Sequence, residues 1–243
     1  MRALNFAKRN FKELIRDPLS LIFEIALPLF LLFIFQQFNL PNELFKINNF
    51  TPSIIVFGFA FITLFSATLI AKDRTSSLLI RLGTSPMKPK DYIIGYVLSI
   101  IPIILIQEVL FFALAIALGL SFSINILFTI LISLVVSILF IALGIFIGSF
   151  ASEKAVGGIG SVVVQLVCFT SGMYFPKEMI GDFFRVICEL LPFESCLNII
   201  RGTLNGDWGI ISARNIITFA IYLVLVLVLA IWLFRKKMVS DNK

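Results

Sequence analysis

The side chain that most enzyme chemistry would require is missing: this 243-residue sequence contains no His. That removes Ser-His hydrolysis, the His-Glu-x-x-His zinc proteases and His-ligated haem together. Cys168, Cys188 and Cys196 lack metal-ligand spacing, and no Gly-Lys pair is present to build a phosphate-binding loop. No catalytic or metal-binding residue is assigned, and the chain reads as a non-enzyme. What remains is a pair of carboxylates, Glu24 and Glu108, each set in a long apolar run. On insertion scales an intramembrane charge costs at least about 2.5–3.5 kcal/mol, so such a group faces protein or a cavity. Basic residues near the N-terminus, or Lys72, are within reach of Glu24, which reads as a structural ion pair. Gln107 and Glu108 have no evident basic partner and stand as candidates for a path through the membrane, for gating, or for buried hydrogen bonding.

The elements that must position these residues are membrane spans. Hydrophobic residues make up 59% of the chain, charged residues 14%, and the mean hydropathy is +1.04. A soluble domain is typically about 45–50% apolar and about 25% charged. The composition therefore specifies an all-α polytopic membrane protein in one domain, residues 1–243. A bilayer core of about 30 Å needs roughly 20 helical residues. Six segments qualify, at about 19–38, 52–71, 92–118, 124–149, 155–174 and 214–234. The first is too long, and lacks the small-x-small site, for a cleaved signal peptide. Lys and Arg divide fifteen to five between the two sides of this six-span frame. The positive-inside bias then places both termini in the cytoplasm of a plasma-membrane protein. The formal charge of +6 is thus a topology signal rather than a nucleic-acid one.

Three regions are not simple spans. Residues 2–17 carry Leu4, Ala7, Phe11, Leu14 and Ile15 at helical spacing, with Lys8, Arg9, Lys12 and Arg16 on an adjoining arc and Phe6 out of place. An interfacial helix with its basic face toward anionic headgroups fits, ending before Pro18; a basic flank that happens to be helical is the plainer reading. The loop 72–91 is far longer than the 2–8 residues that join antiparallel helices. Its apolar cluster Leu78, Leu79, Ile80 and Leu82, beside Arg74, Arg81 and Lys88, suits a docking surface for a soluble partner; a surface helix resting on the bilayer is the plainer reading. Residues 173–213 contain two short amphipathic helices broken at Pro192, too polar to span and too apolar for open water. They fit a re-entrant hairpin over 175–206; an ordinary interfacial loop is the plainer reading. Gly144-x-x-x-Gly148, with Gly157, Gly158, Gly160 and Ser161, offers small faces for close helix packing, within one subunit or at a dimer seam. Cys188 and Cys196 fall on one side and read as free, with a bridge as the alternative.

At these residues the chain resembles the membrane permeases of the type-2 ABC export family, which includes drug-resistance and polysaccharide exporters. The likeness rests on the basic helix ending Arg16-Asp17-Pro18-Leu19 and on the loop Arg81-Leu82-Gly83-Thr84-Ser85-Pro86. It rests also on the late block Ser171-Gly172-Met173-Tyr174-Phe175-Pro176, followed by Leu190-Leu191-Pro192-Phe193 and Ile200-Arg201-Gly202. Ser77 stands where the family often has Gly.

The resemblance implies a permease half that pairs with a second copy or a sister permease and with two cytoplasmic ATPase subunits. Those subunits would bind ATP and Mg; this chain would bind no cofactor of its own. Leu78, Leu79, Arg81, Leu82, Ser85 and Pro86 would form the coupling helix. Lys8, Phe11, Lys12 and Arg16 would belong to the elbow helix, and Phe175, Pro176, Pro192 and Arg201 to the outer gate. Glu108 and Gln107 would lie on the cargo path, for a hydrophobic or amphipathic compound moved out by alternating access. Membrane lipids are further partners and nucleic acid is not. Two other readings remain: a membrane scaffold or sensor holding a soluble partner, and a secondary carrier working without ATP. The absence of an internal repeat weighs against the carrier.

Overall fold

The computed structural model describes residues 2–38, 40–75, 89–175, 179 and 181–240. Every regular element among them is helical. The chain opens with α1 (Arg2–Ile15) and turns at Arg16 and Asp17. A helical run follows in three parts: α2 (Pro18–Leu21), a π-helical turn (Ile22–Ala26) and α3 (Leu27–Gln37). Next come α4 (Ile47–Thr75), α5 (Pro89–Ala117), α6 (Asn125–Phe150) and α7 (Glu153–Thr170). Two short helices, α8 (Asp182–Leu190) and α9 (Pro192–Asn205), precede the last long one, α10 (Ala213–Ser240).

Among the described residues, five helices are long and apolar enough to cross a membrane: α4, α5, α6, α7 and α10. The first of the six expected spans is not one of them. Its apolar part, Ile22–Gln37, is shorter and begins in the π turn. Pro28 accounts for the irregularity, because it has no N–H to return to the Glu24 carbonyl and its ring crowds that oxygen. One turn ahead of it the helix widens, so that the Leu27 N–H reaches back five residues to the Ile22 carbonyl.

The centre of the molecule is α4, which packs on α6 and α7, while α6 also carries α10. Close approach explains the small residues. A Cβ at Gly144 would sit 2.0 Å from Ser66 Oγ, and one at Gly148 would sit 2.6 Å from the Ala67 carbonyl. The Gly144-x-x-x-Gly148 face thus seats α6 on α4 inside one subunit. Phe59, Phe140 and Phe193 continue that core from α4 through α6 to α9, with ring centroids 5.6 and 5.9 Å apart.

The two ends of the bundle differ. At one end α1 lies across the start of α5, where Phe6 meets Tyr92 and Tyr96 edge-on at 5.4 and 5.1 Å. The end of α10 joins them through Phe234, 6.3 Å from Tyr92. At the opposite end α9 covers the starts of α4 and α6. The left-handed Gly206 stops α9, its N–H bonded to the carbonyls of Gly202 and Thr203.

Candidate functional site

Four polar features stand out in a molecule built mostly from hydrocarbon. The first is the junction of α1, α4 and α5. Asp73, buried near the end of α4, accepts from Arg9 at 2.7 Å and from the Tyr96 hydroxyl at 2.9 Å. Arg9 also pairs with Glu13 at 2.5 Å, and Glu13 takes Lys72 at 3.2 Å. Arg74 donates to the Gly148 and Ala151 carbonyls, which lie at the end of α6. A buried carboxylate needs such donors, since a charge without partners is costly in a low dielectric. These bonds tie the elbow to α4 and α5, the two helices that bracket residues 76–88.

The packed face of the elbow follows the expected apolar stripe only in part. Phe6, Ala7, Asn10 and Leu14 form the buried face, whereas Leu4 and Ile15 are exposed. Phe6, apparently misplaced on the helical wheel, is the anchor, because its neighbours are the rings of α5 rather than lipid. Lys8, Lys12 and Arg16 are exposed and Phe11 is half-buried.

The second feature is a set of buried polar groups in mid-span. Gln107 Nε2 donates to the Glu24 carbonyl, the one that Pro28 cannot serve, at 3.0 Å. Its amide also rests against Gly58, where a Cβ would come within 2.4 Å of Nε2. The expected ion pair of Glu24 is not formed: Lys72 goes to Glu13 and Arg9 to Asp73 and Glu13. Both carboxylate oxygens of Glu24 are buried without a hydrogen-bond partner, and so are both of Glu108. Ser133 of α6 stands beside Glu108, but its hydroxyl donates to the Ile130 carbonyl at 2.9 Å.

At the far end, Arg201 of α9 donates to the Asn49 carbonyl at 3.4 Å and to Ser53 Oγ at 3.2 Å, fixing the short helix to the start of α4. Pro192 is buried at the first turn of α9, where a missing N–H costs nothing. Phe175 lies apart from both, stacked on Phe169 at 6.2 Å. On α8, Glu189 takes Arg214 of α10 at 3.0 Å.

The fourth feature is the outward face of α7. Gly157, Gly158, Ser161, Val162, Gln165 and Phe169 are all exposed, and a Cβ at Gly157 or Gly158 would meet no atom within 4 Å. Gly160, by contrast, turns inward onto Leu64 of α4.

The structure brings Lys8, Lys12 and Arg16 together with Lys72 around one cleft. Gln107 and Glu108 occupy successive positions of α5 and face different neighbours. Leu78, Leu79, Arg81, Leu82, Ser85, Pro86 and Pro176 lie outside the described residues. Cys168, Cys188 and Cys196 are buried and joined by no disulfide, so the alternative of a Cys188–Cys196 bridge is not present. Sequence reasoning missed Asp73, Tyr96 and Gln165. An acid one residue from Lys72 and a Tyr one helical turn after Tyr92 were visible, but their pairing across 23 residues was not.

Comparison with known proteins gives one family. The family described as ABC-2 type transporter matches residues 4–205. A search of curated proteins finds no match.

Proposed function

The chain belongs to the ABC-2 type transporter family and is a membrane permease, and we propose that it is the export half-channel of a pump driven by two cytoplasmic ABC ATPase subunits. Permeases of this family leave ATP hydrolysis to a separate subunit, which agrees with a chain that has no phosphate-binding loop. The cargo we assign is a hydrophobic or amphipathic compound, because the helices offer hydrocarbon walls and few charges. Both termini lie in the cytoplasm in this reading. The fifteen-to-five Lys/Arg split supports that orientation. So does the gathering of α1, the 76–88 brackets and the end of α10 at one end of the bundle.

The observation that carries the reading is the Arg9–Asp73–Tyr96 junction. A push on residues 76–88 by a closing ATPase pair reaches α4 and α5 directly and α1 through this ion pair. Alternating access then follows if the bundle rocks as a unit toward the outer end. In the bilayer the run Pro18–Gln37, twenty helical residues in its three parts, is about 30 Å long. That length supports a sixth span. The α8–α9 pair acts as the re-entrant cap beside the outer gate, held by Arg201. The exposed face of α7 meets a second permease copy or a sister permease. Gln107 and Glu108 join the path only when α5 parts from its neighbours, so they act in gating.

The test is reconstitution of the permease with its ABC ATPase in proteoliposomes. ATP-dependent movement of an amphipathic compound is expected. Leu79→Asp and Leu82→Asp should insert normally but fail to stimulate hydrolysis, since a charge in an apolar docking face loses its solvation. Transport that proceeds without ATP, or full stimulation by both variants, contradicts the proposal.

A further inference from the structure

Between α1 and the adjoining end of α4 lies an open cleft of about 790 Å³. Five cations line it: Lys8, Arg9, Lys12 and Arg16 from α1, and Lys72 from α4. Among the described residues three carboxylates answer them: Glu13 and Asp17 in the lining, and Asp73, which holds Arg9 from behind. Glu13 is taken by Arg9 and Lys72, while Lys8, Lys12 and Arg16 make no ion pair with a described residue. The cleft therefore carries an excess of cations: the half-buried Arg9 and Glu13 and the buried Asp73 are paired, while the exposed Lys8, Lys12 and Arg16 point into it without an ion pair to a described residue.

A second observation selects the ligand. A small crevice continues from the cleft and shares Glu13, Asp17 and Lys72 with it. Its further walls are Leu14, Phe65, Thr68 and Leu69, so the lining changes from cationic to apolar along α4 toward the membrane interior. Leu4 and Ile15 of α1 are exposed beside the basic face. Cations above, hydrocarbon below and a helix lying at the bilayer surface match a molecule with an anionic head and an acyl tail. We propose that this cleft is a binding site for an anionic phospholipid, its phosphate held among Lys8, Lys12, Arg16 and Lys72 and its chains lying in the bilayer beside the exposed Leu4 and Ile15; the crevice, at about 30 Å³, takes no chain and marks only where the lining turns apolar. Because Lys72 directly precedes Asp73, an occupied site bears on the junction at the root of residues 76–88. The site requires only that the chain is embedded in a membrane, so its failure and the failure of the ATPase-driven reading are separate results.

The full-length permease, purified in an uncharged detergent, would be titrated with dioctanoyl-phosphatidylglycerol, dioctanoyl-phosphatidylcholine and inorganic phosphate, with bound lipid counted by native mass spectrometry. The phosphatidylglycerol should bind, and neither phosphatidylcholine nor phosphate should compete at equal concentration. Lys12→Gln with Lys72→Gln should weaken binding by roughly fivefold per cation removed. Arg235→Gln with Lys236→Gln, exposed on α10 outside the cleft, should leave it unchanged. Equal loss in that control pair would mean a diffuse surface charge and would overturn the site. Competition by phosphate as strong as that by the lipid would mean a free-anion site. Normal lipid binding by Lys12→Gln/Lys72→Gln, together with lost association with the ATPase, would make the cleft a protein docking surface; either result ends the lipid assignment.

Discussion

Two of the long helices turn most of their surface away from the bundle, and they do so with opposite chemistry. In its most apolar window α10 is only 11% buried and has a mean hydropathy of 3.0; its outward residues are Ile216, Ile217, Ile221, Val224, Leu225, Val228 and Trp232. The window of α7 is 33% buried, yet its mean hydropathy is 1.3, the lowest of the five candidate spans. Its outward positions include Gly157, Gly158, Ser161 and Gln165. Lipid is a good solvent for the first surface and a poor one for the second, because an amide or exposed backbone in hydrocarbon lacks hydrogen-bond partners. The difference separates the two faces: α10 suits the acyl chains, whereas α7 presents a surface that the acyl chains solvate poorly. Exposure alone does not mark a membrane surface; the residue types on it do.

Interior positions set the scale against which those two faces are judged. Gly144→Leu should produce the largest effect, since a Cβ there already overlaps Ser66. Overpacking of this kind costs about 1–3 kcal/mol and sometimes more, and a large drop in melting temperature or yield is expected. Gly158→Leu, with open space around it, should leave melting of the single subunit unchanged while impairing transport. Equal destabilisation by both would erase the distinction between seam and core.

Gln107→Leu comes next. It removes the donor to the Glu24 carbonyl beside Pro28, and an unsatisfied buried acceptor costs about 1–3 kcal/mol. Melting of the purified protein should fall by a matching amount, and Gln107→Met, which loses the donor while nearly keeping the size, should fall with it. Wild-type melting in both variants would show that the π turn needs no partner.

The smallest effects separate the two outward faces. Val228→Gln places an amide in lipid and should cost about 0.5–2 kcal/mol. Gln165→Leu should cost nothing in melting of the single subunit and should instead weaken association with the second permease chain at matched membrane levels. A destabilising Gln165→Leu beside a neutral Val228→Gln would reverse the assignment of faces.

Much of the helix order was legible because a membrane leaves a chain few choices. Long apolar runs must be helical, and α4, α5, α6, α7 and α10 follow from hydropathy alone. The first expected span was less legible. Leu, Ile and Phe continue through 19–38, but hydropathy does not register what Pro28 does to the carbonyl four residues earlier. The elbow was legible as a helix but the part of Phe6 in it was not, because Phe6 packs on protein rings while Leu4 stays exposed, and one hydrophobicity scale treats them alike. Glu24 was assigned to a basic residue of the elbow or to Lys72. Arg9 and Lys72 pair with Asp73 and Glu13 instead. Gln165 went unnoticed because a single amide in an apolar run has no periodicity, and only its outward placement gives it meaning.

The most direct measurement is photo-crosslinking in native membranes, with a benzophenone amino acid placed at Gln165 on α7 or at Val224 on α10. The account predicts that the Gln165 probe forms an adduct containing a second permease chain, while the Val224 probe, at matched expression, yields lipid adducts alone. A permease adduct from Val224 and only lipid adducts from Gln165 would contradict it.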